Sequence, residues 1–143
     1  MDKPVRTLDA GSSLINTTIV VPSGFTDGVL LHCAGDNHIE NITIVDARPA
    51  SETSQAHCDA IQLIGKNTIS RGHYALATSN DIAIGHVKIE ASQSQMQGIF
   101  SDGALLNNIY LNNITINTLS THKVTLCGVI YGHFSQLQTG KGE

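Results

Sequence analysis

Apolar residues recur along the chain in a Leu/Ile-x-x-Ile/Val-x-Ile spacing that marks one family of strands. Three copies are clear and end at Ile44, Ile89 and Ile116, and a weaker copy ends at Val21. The separations between these last residues are 23, 45 and 27, so the middle one is close to two steps of the first. A repeat in this range predicts an array of similar units. Since no unit carries a helical pattern, we expect a β-solenoid.

A second family of strands alternates with the first. Its members open with Gly or Ala and continue with Val or Ile, at residues 28–31, 60–63, 98–100 and 128–131, with a degenerate copy at 74–76. A small first residue lets neighbouring backbones approach at a corner. One coil would contain a strand of each family, and at roughly 23 residues a coil the chain would form about six coils.

Polar residues also keep a register in this repeat. Asn41, His86 and Asn113 each stand just before the apolar pair that ends a strand of the first family. Asn at a repeated turn position can hydrogen-bond to its neighbours in the stack, so we expect a structural ladder that includes His86. Irregular spacing marks loops at residues 47–56, 91–95 and 119–123. Loops on one face of a repeat array commonly build its binding surface.

Composition narrows the choice of partner. Aromatic residues make up 4% of the 143 residues and charged residues 14%, against roughly 25% charged in an average domain. The exposed faces must therefore be covered by Asn, Ser, Thr, Gln and Gly, as in extended β surfaces and glycan-facing proteins. The net charge is −4 and no Lys/Arg run exists, which argues against nucleic acid.

The same composition argues against a membrane span, a metal and a cofactor. No apolar run reaches the length of a membrane helix, and the start lacks the apolar core of a signal peptide. We therefore expect a protein that is cytoplasmic as synthesised, or associated with a virion. The three Cys contain no CxxC pair, which favours small buried residues. The seven His form neither HxH nor HExxH, so no metal site is predicted.

The best candidate for chemistry is the start of the strand at 59–63. Residues two apart share a face of a strand, so His57 and Asp59 could act together as an acid/base pair. Asp102 would supply the second carboxyl group of a glycosidase, which must lie roughly 5–10 Å from the first. In the alternative interpretation Asp59 bonds turn amides and His57 is solvated.

Five further residues are candidates for substrate contact. Two are amides: one lies on the strand that Asp59 begins, and the other occupies a place in the next strand of this family equivalent to that of Asp59. Three are basic residues that could neutralise the carboxylate of a uronic acid. Each basic residue could equally be a solvated surface charge. The five are Gln62, Gln97, Arg48, Arg71 and Lys123.

Four segments carry a family resemblance: NITI, HCDAIQLI, MQGIFSDG and LNNIYLNNITI. They resemble the right-handed parallel β-helix proteins of the pectate-lyase-like superfamily, over roughly residues 12–135. The resemblance implies one all-β domain, a single-stranded right-handed parallel β-helix, with a polar tail at 136–143. Proteins of this superfamily include polysaccharide lyases, polygalacturonases, epimerases and phage tailspikes.

The polygalacturonase pattern is matched only in part. Its Asn-Thr-Asp-Gly segment would fall on residues 57–60 and keep Asp59. Its paired aspartates would fall near Gln97 and Gly98, where no carboxylate stands. The Gly-His-Gly segment has only fragments at residues 72–73 and 132–133. This departure argues against polygalacturonase chemistry.

The resemblance therefore favours a carbohydrate-recognising module of phage or bacterial cell-surface type, similar to a tailspike. Glycan contact would use the Asn/Gln/Ser-rich face and the loop at 47–56. One alternative is a polysaccharide lyase or glycoside hydrolase that acts on an acidic polysaccharide, with Asp59 as acid or base. Another is a structural subunit of a trimeric fibre, since the open ends of a solenoid invite association.

Overall fold

The described part of the protein consists of parallel strands and one helical turn. The computed structural model describes residues 3–32, 35–53, 58–64, 77–102, 104–126 and 129–140. In chain order the elements are β1 Pro4–Leu8, β2 Ser13–Val21, β3 Asp27–His32, β4 Asn37–Asp46, α1 Ala50–Thr53, β5 Asp59–Ile64, β6 Ala77–Ala91, β7 Gln97–Asp102, β8 Ala104–Thr118, β9 Val124–Leu126 and β10 Val129–Gly140.

Successive strands alternate between two sheets. The odd sheet has the order β1-β3-β5-β7-β9, and the even sheet has the order β10-β8-β6-β4-β2. Every pair of neighbours within a sheet is parallel, so backbones in adjacent rows lie about 4.8 Å apart. The described residues therefore form five rows, each with one strand in either sheet. This is one row fewer than the six coils predicted from the sequence.

The even sheet confirms most of the first repeat. Ile44 pairs with Ile89 and Ile89 pairs with Ile116. The weak first copy was placed wrongly, because Ile19, not Val21, pairs with Ile44. The interpretation of the 45-residue separation as two steps is also wrong, since β4 is hydrogen-bonded directly to β6. The extra length of this step lies between the strands, and the degenerate copy at 74–76 falls outside the described residues.

The odd sheet confirms the second repeat up to its last member. Val29 pairs with Ile61, and Ile61 pairs with Ile99. The next row is β9, where Val124 pairs with Ile99, so the assignment of 128–131 to this family is wrong. Residues 129–131 instead begin β10 of the even sheet. Because β10 continues to Gly140 and pairs with β8, residues 136–140 also extend the sheet and do not form the polar tail expected.

Aliphatic side chains fill the space between the two sheets. Ile, Leu and Val dominate the buried cluster, as the shortage of aromatic residues predicts. The second residue of β3, β5 and β7 is small because the backbones there approach closely. A Cβ built on Gly28 would lie 2.6 Å from the carbonyl oxygen of Ala60. This close approach confirms the reason given for the Gly or Ala at the start of each member.

A column of left-handed residues crosses the even sheet. Asn16, Asn41, His86, Asn113 and Gln136 all have φ between 51° and 57°, and they lie in one register. Asn tolerates this conformation better than other non-glycine residues. The predicted shared register is therefore confirmed, and it bends each strand of the sheet at the same position.

One side-chain hydrogen bond joins two members of this column. Asn41 Nδ2 donates to Asn16 Oδ1 at 2.8 Å. His86 follows the backbone of the column, but its Nδ1 lies 2.5 Å from Glu40 Oε2, in the neighbouring row. His86 thus has the structural role that the sequence favoured, with a carboxylate as its partner.

Candidate functional site

A polar cleft of about 430 Å³ lies at the carboxyl ends of β4, β6 and β8. Its volume is within the range of small-ligand pockets. The three strands end beside each other there, and the loops that follow them border the cleft. The polar side chains that line it are Asp46, Arg48, Thr53, Glu90, Ser92, Gln93, Ser94 and Asn117.

Three loops are fastened side by side around this cleft. The amide of Gln95 donates to the carbonyl of Thr53 at 2.9 Å, which joins the turn after β6 to α1. The amide of Leu119 donates to the carbonyl of Ser94 at 2.8 Å, which joins the turn after β8 to the turn after β6. Loops from the three predicted segments therefore gather on one face, and the described part of the segment at 47–56 lines the cleft.

A buried ion pair forms one wall of the cleft. Arg48 Nε donates to Asp46 Oδ1 at 2.8 Å, and Arg48 Nη2 donates to Asp46 Oδ2 at 2.6 Å. The exposed fractions of the two side chains are 1% and 0%. Ser94 Oγ donates to the same carboxylate at 2.5 Å. The wall thus ties the loop after β4 to the turn after β6.

The surroundings of Asp46 favour its charged form. Burial by itself raises the pKa of this carboxyl, but hydrogen bonds from Arg48 and Ser94 outweigh burial and hold the pKa below 3.8. The hydrogen bond to Asp46 likewise raises the pKa of Arg48, against the effect of burial. Both groups are therefore charged near neutral pH and compensate each other.

Arg48 also connects the wall to the odd sheet. Its Nη1 donates to Cys58 Sγ at 2.8 Å, and Cys58 immediately precedes β5. The thiol is free and buried, and burial raises its pKa, as expected of the small buried residue that the sequence predicted. The interpretation of Arg48 as a solvated surface charge is wrong, because its head group is enclosed. Its predicted role in substrate contact stays a prediction.

The mouth of the cleft carries two polar groups from neighbouring rows. The register places Glu90 beside Asn117. Glu90 Oε1 lies 2.8 Å from Lys88 Nζ in an exposed ion pair. Among the described residues, no group hydrogen-bonds to the buried Asn117 Oδ1.

Asp59, the predicted acid or base, lies outside the cleft lining at the start of β5. Its exposed fraction is 4%, and its amide donates to Asp27 Oδ1 at 2.9 Å. Val29 pairs with Ile61. Asp27 and Asp59 each stand two residues before these partners, so they lie beside each other on neighbouring strands. Sequence reasoning missed Asp27 because it started this strand at residue 28. The available signal was the shared Asp, small residue and β-branched residue at 27–29 and 59–61.

The register does not bring Asp59 and Asp102 together. Asp59 pairs with Gln97, and Asp102 pairs with Ile64. Asp102 is therefore five positions further along the row, about 16 Å at the rise of a strand. The prediction that these two carboxylates lie close together is therefore wrong, whereas the predicted alignment of Gln97 with Asp59 is confirmed.

The other candidate residues are dispersed. Gln62 is 8% exposed, pairs with Phe100, and has a buried Oε1 with no hydrogen-bond partner in the described residues. Lys123 Nζ donates to the carbonyl of Ser120 at 2.5 Å, so its head group binds a loop carbonyl. His57 and Arg71 lie outside the described residues, and so does the side chain of Asp102.

Comparisons with known protein families, curated proteins and solved structures find no match for this chain. Within the described ranges, no three His, Cys, Asp or Glu side chains are grouped so that they could hold a metal ion. The helical part of those ranges also contains no segment long and apolar enough to cross a membrane. The argument for function therefore depends on the geometry of the cleft and of the two sheets.

Proposed function

We propose that the chain is a right-handed parallel β-helix that recognises carbohydrate through the cleft at the carboxyl ends of β4, β6 and β8. The strand order supports the fold, because each strand returns to its own sheet after one visit to the other. Parallel strands joined by crossovers are right-handed in about 98% of cases. The resemblance of the repeat to the pectate-lyase-like superfamily adds to this proposal.

The observation that carries the function is the polar lining of the cleft. Gln93 and Glu90 offer hydrogen-bond acceptors, and the side-chain amides of Gln93 and Asn117 offer donors. Dense hydroxyl groups are the chemical mark of a sugar, and each needs such partners when it leaves water. The cleft is built on strands and loops fastened to each other, which reduces the ordering needed on binding. A surface glycan of a bacterium is the partner that this proposal favours.

A binding measurement tests the function directly. We would titrate the protein with bacterial and plant oligosaccharides by calorimetry, and repeat each titration with Asn117→Ala and Gln93→Ala. Loss of one net hydrogen bond should weaken binding about 2- to 10-fold. Gln138→Ala is the matched control, because Gln138 is exposed on β10 and does not line the cleft. Binding that ignores both cleft variants would contradict the proposed site.

An enzyme is the second candidate, favoured by the adjacent positions of Asp27 and Asp59. Two close carboxyl groups can hold different protonation states and divide acid and base roles. Reducing ends and unsaturated product would be recorded together over a polysaccharide panel. Turnover that Asp59→Asn abolishes, with glycan binding retained, would establish this alternative. An absence of turnover would leave the recognition module.

A structural subunit is the third candidate. At the β9 and β10 edge an apolar hollow is lined by Val124, Leu126, Val129, Phe134 and Leu137, beside open strand edges that can pair with another chain. A homotrimer would be consistent with this surface. Sedimentation velocity would reveal a concentration-dependent trimer, and Phe134→Ser should weaken it. A monomer at all concentrations would exclude this candidate.

A further inference from the structure

The charges around the cleft distinguish between classes of glycan. Three charged side chains line it: Asp46, Arg48 and Glu90. We infer that the cleft takes a neutral sugar and discriminates against a uronic acid, an inference that rests on the proposed carbohydrate function. The enzyme alternative, by contrast, would require an acidic polysaccharide as its ligand.

The first step is that Arg48 is not available to a ligand carboxylate. Two of its nitrogens donate to Asp46, and the third donates to Cys58. Its side chain is 1% exposed and that of Asp46 is 0% exposed. A second carboxylate near this guanidinium would have to compete with a bidentate partner already in place. The pair therefore presents no net positive charge to the cleft.

The second step is that Glu90 leaves the cleft with an excess of negative charge. In the described part of the chain its ion-pair partner is Lys88, which does not belong to the lining residues. Both side chains of this pair are exposed, so water and salt weaken the compensation. Among the described lining residues, Arg48 is the one cation, and Asp46 already neutralises it.

The third step concerns what such a lining can bind. A ligand carboxylate would meet Glu90, whose charge the exposed Lys88 offsets only in part from outside the lining, and like charges brought together across an interface oppose binding. A sugar hydroxyl meets the opposite situation, because the Glu90 carboxylate and the side-chain oxygen of Gln93 both accept hydrogen bonds. The lining thus favours ligands rich in donors and free of negative charge.

The test uses pairs of sugars that differ only in this charge. Tetrasaccharides of glucose, galactose and mannose would each be compared by calorimetry with their C6-carboxylate counterparts, at low and at high salt. We expect the neutral member of any binding pair to bind at least about tenfold more tightly at low salt. The ratio should shrink at high salt, because salt screens the repulsion.

Glu90→Gln identifies the source of the discrimination. It removes the charge and keeps the size and an acceptor oxygen, so the ratio between neutral and carboxylate sugars should fall towards one. Equal or tighter binding of the carboxylate form by the unaltered protein would overturn this inference and leave the proposed carbohydrate function standing. A ratio unchanged by Glu90→Gln would likewise overturn it. Failure of every neutral and acidic sugar to bind would overturn both proposals.

Discussion

Replacing Arg48 with methionine should be among the most damaging single changes near the cleft. Methionine has a similar length and no charge, so Asp46 would keep Ser94 as its side-chain donor and lose the two bonds from the guanidinium. Cys58 would also lose its donor. The substitution therefore leaves a carboxylate buried without a compensating charge, which is the costly way to break an ion pair.

The magnitude follows from the burial of the pair. Its two side chains are 1% and 0% exposed, which places it among buried pairs, for which removal of one partner costs about 3–5 kcal/mol. For a chain of this size each kcal/mol shifts the melting temperature by about 2–4 °C, so we expect a fall of roughly 10 °C. Asp46→Leu combined with Arg48→Met removes both charges, and should cost less than Arg48→Met alone.

Urea unfolding followed by circular dichroism would measure these changes. Arg6→Met is the matched control, because Arg6 is exposed on β1 and should change the free energy of unfolding by no more than about 0.5 kcal/mol. A double variant that is destabilised by the sum of its two single changes would refute the coupling between Asp46 and Arg48. An Arg48→Met variant as stable as the Arg6→Met control would refute the reasoning altogether.

Three other predictions follow from the sheets and the ion pair. Gly28→Ala should destabilise the protein by a few kcal/mol, because the new Cβ meets the backbone oxygen of Ala60 at 2.6 Å; Gly85→Ala meets only the end of a flexible side chain and should cost far less in the same urea titration. Asn41→Ala should cost about 1–2 kcal/mol because it removes a side-chain bond and strains a φ of 55°, whereas Asn41→Gly should recover the backbone part of that loss. Because the pKa of Asp46 is lowered in the folded protein, its ionised carboxylate stabilises the fold fully above the unfolded pKa, and this stabilisation is lost as pH falls below about 3.8 through the folded pKa. The free energy of unfolding, measured from pH 6 to pH 2, should therefore fall, and should fall less in Asp46→Asn. Identical pH profiles of the two proteins would contradict this.

Much of the fold could be predicted because the apolar residues recur at the spacing of the repeat. Ile44, Ile89 and Ile116 were aligned correctly, since an inward-facing residue in each row must be apolar. Val21 was misaligned because Ile19 and Val21 are both apolar and both buried. Apolar character alone therefore could not distinguish the correct register from one shifted by two residues.

Loop length was the second difficulty. The separation of 45 residues suggested two coils, but β4 and β6 are direct neighbours. A long connection costs little more entropy than a short one, so the repeat does not constrain it. The last member of the second family was assigned wrongly for a related reason. Residues 128–131 match that family in sequence, but β9 at Val124–Leu126 already occupies the row.

The candidate site was only partly visible in the sequence. The loop segments around the cleft were predicted, because their spacing departs from the repeat. Arg48 was named as a candidate, but its partner Asp46 was not: the two are only two residues apart, and the sequence does not show that both side chains are buried where they meet. The pairing of Asp59 with Asp102 failed because a neighbouring row specifies proximity only when the register is also known.

The measurement that tests the central claim most directly is an NMR titration of ¹⁵N-labelled protein with a neutral oligosaccharide that calorimetry identifies as a ligand. The proposed site predicts the largest shifts in the side-chain amide of Asn117 and the backbone amides of residues 90–94, which line the cleft. The resonances of Gln62 and Phe100 on the odd sheet should change little. Shifts centred on Gln62 and Phe100, with those of the cleft unmoved, would contradict the proposal.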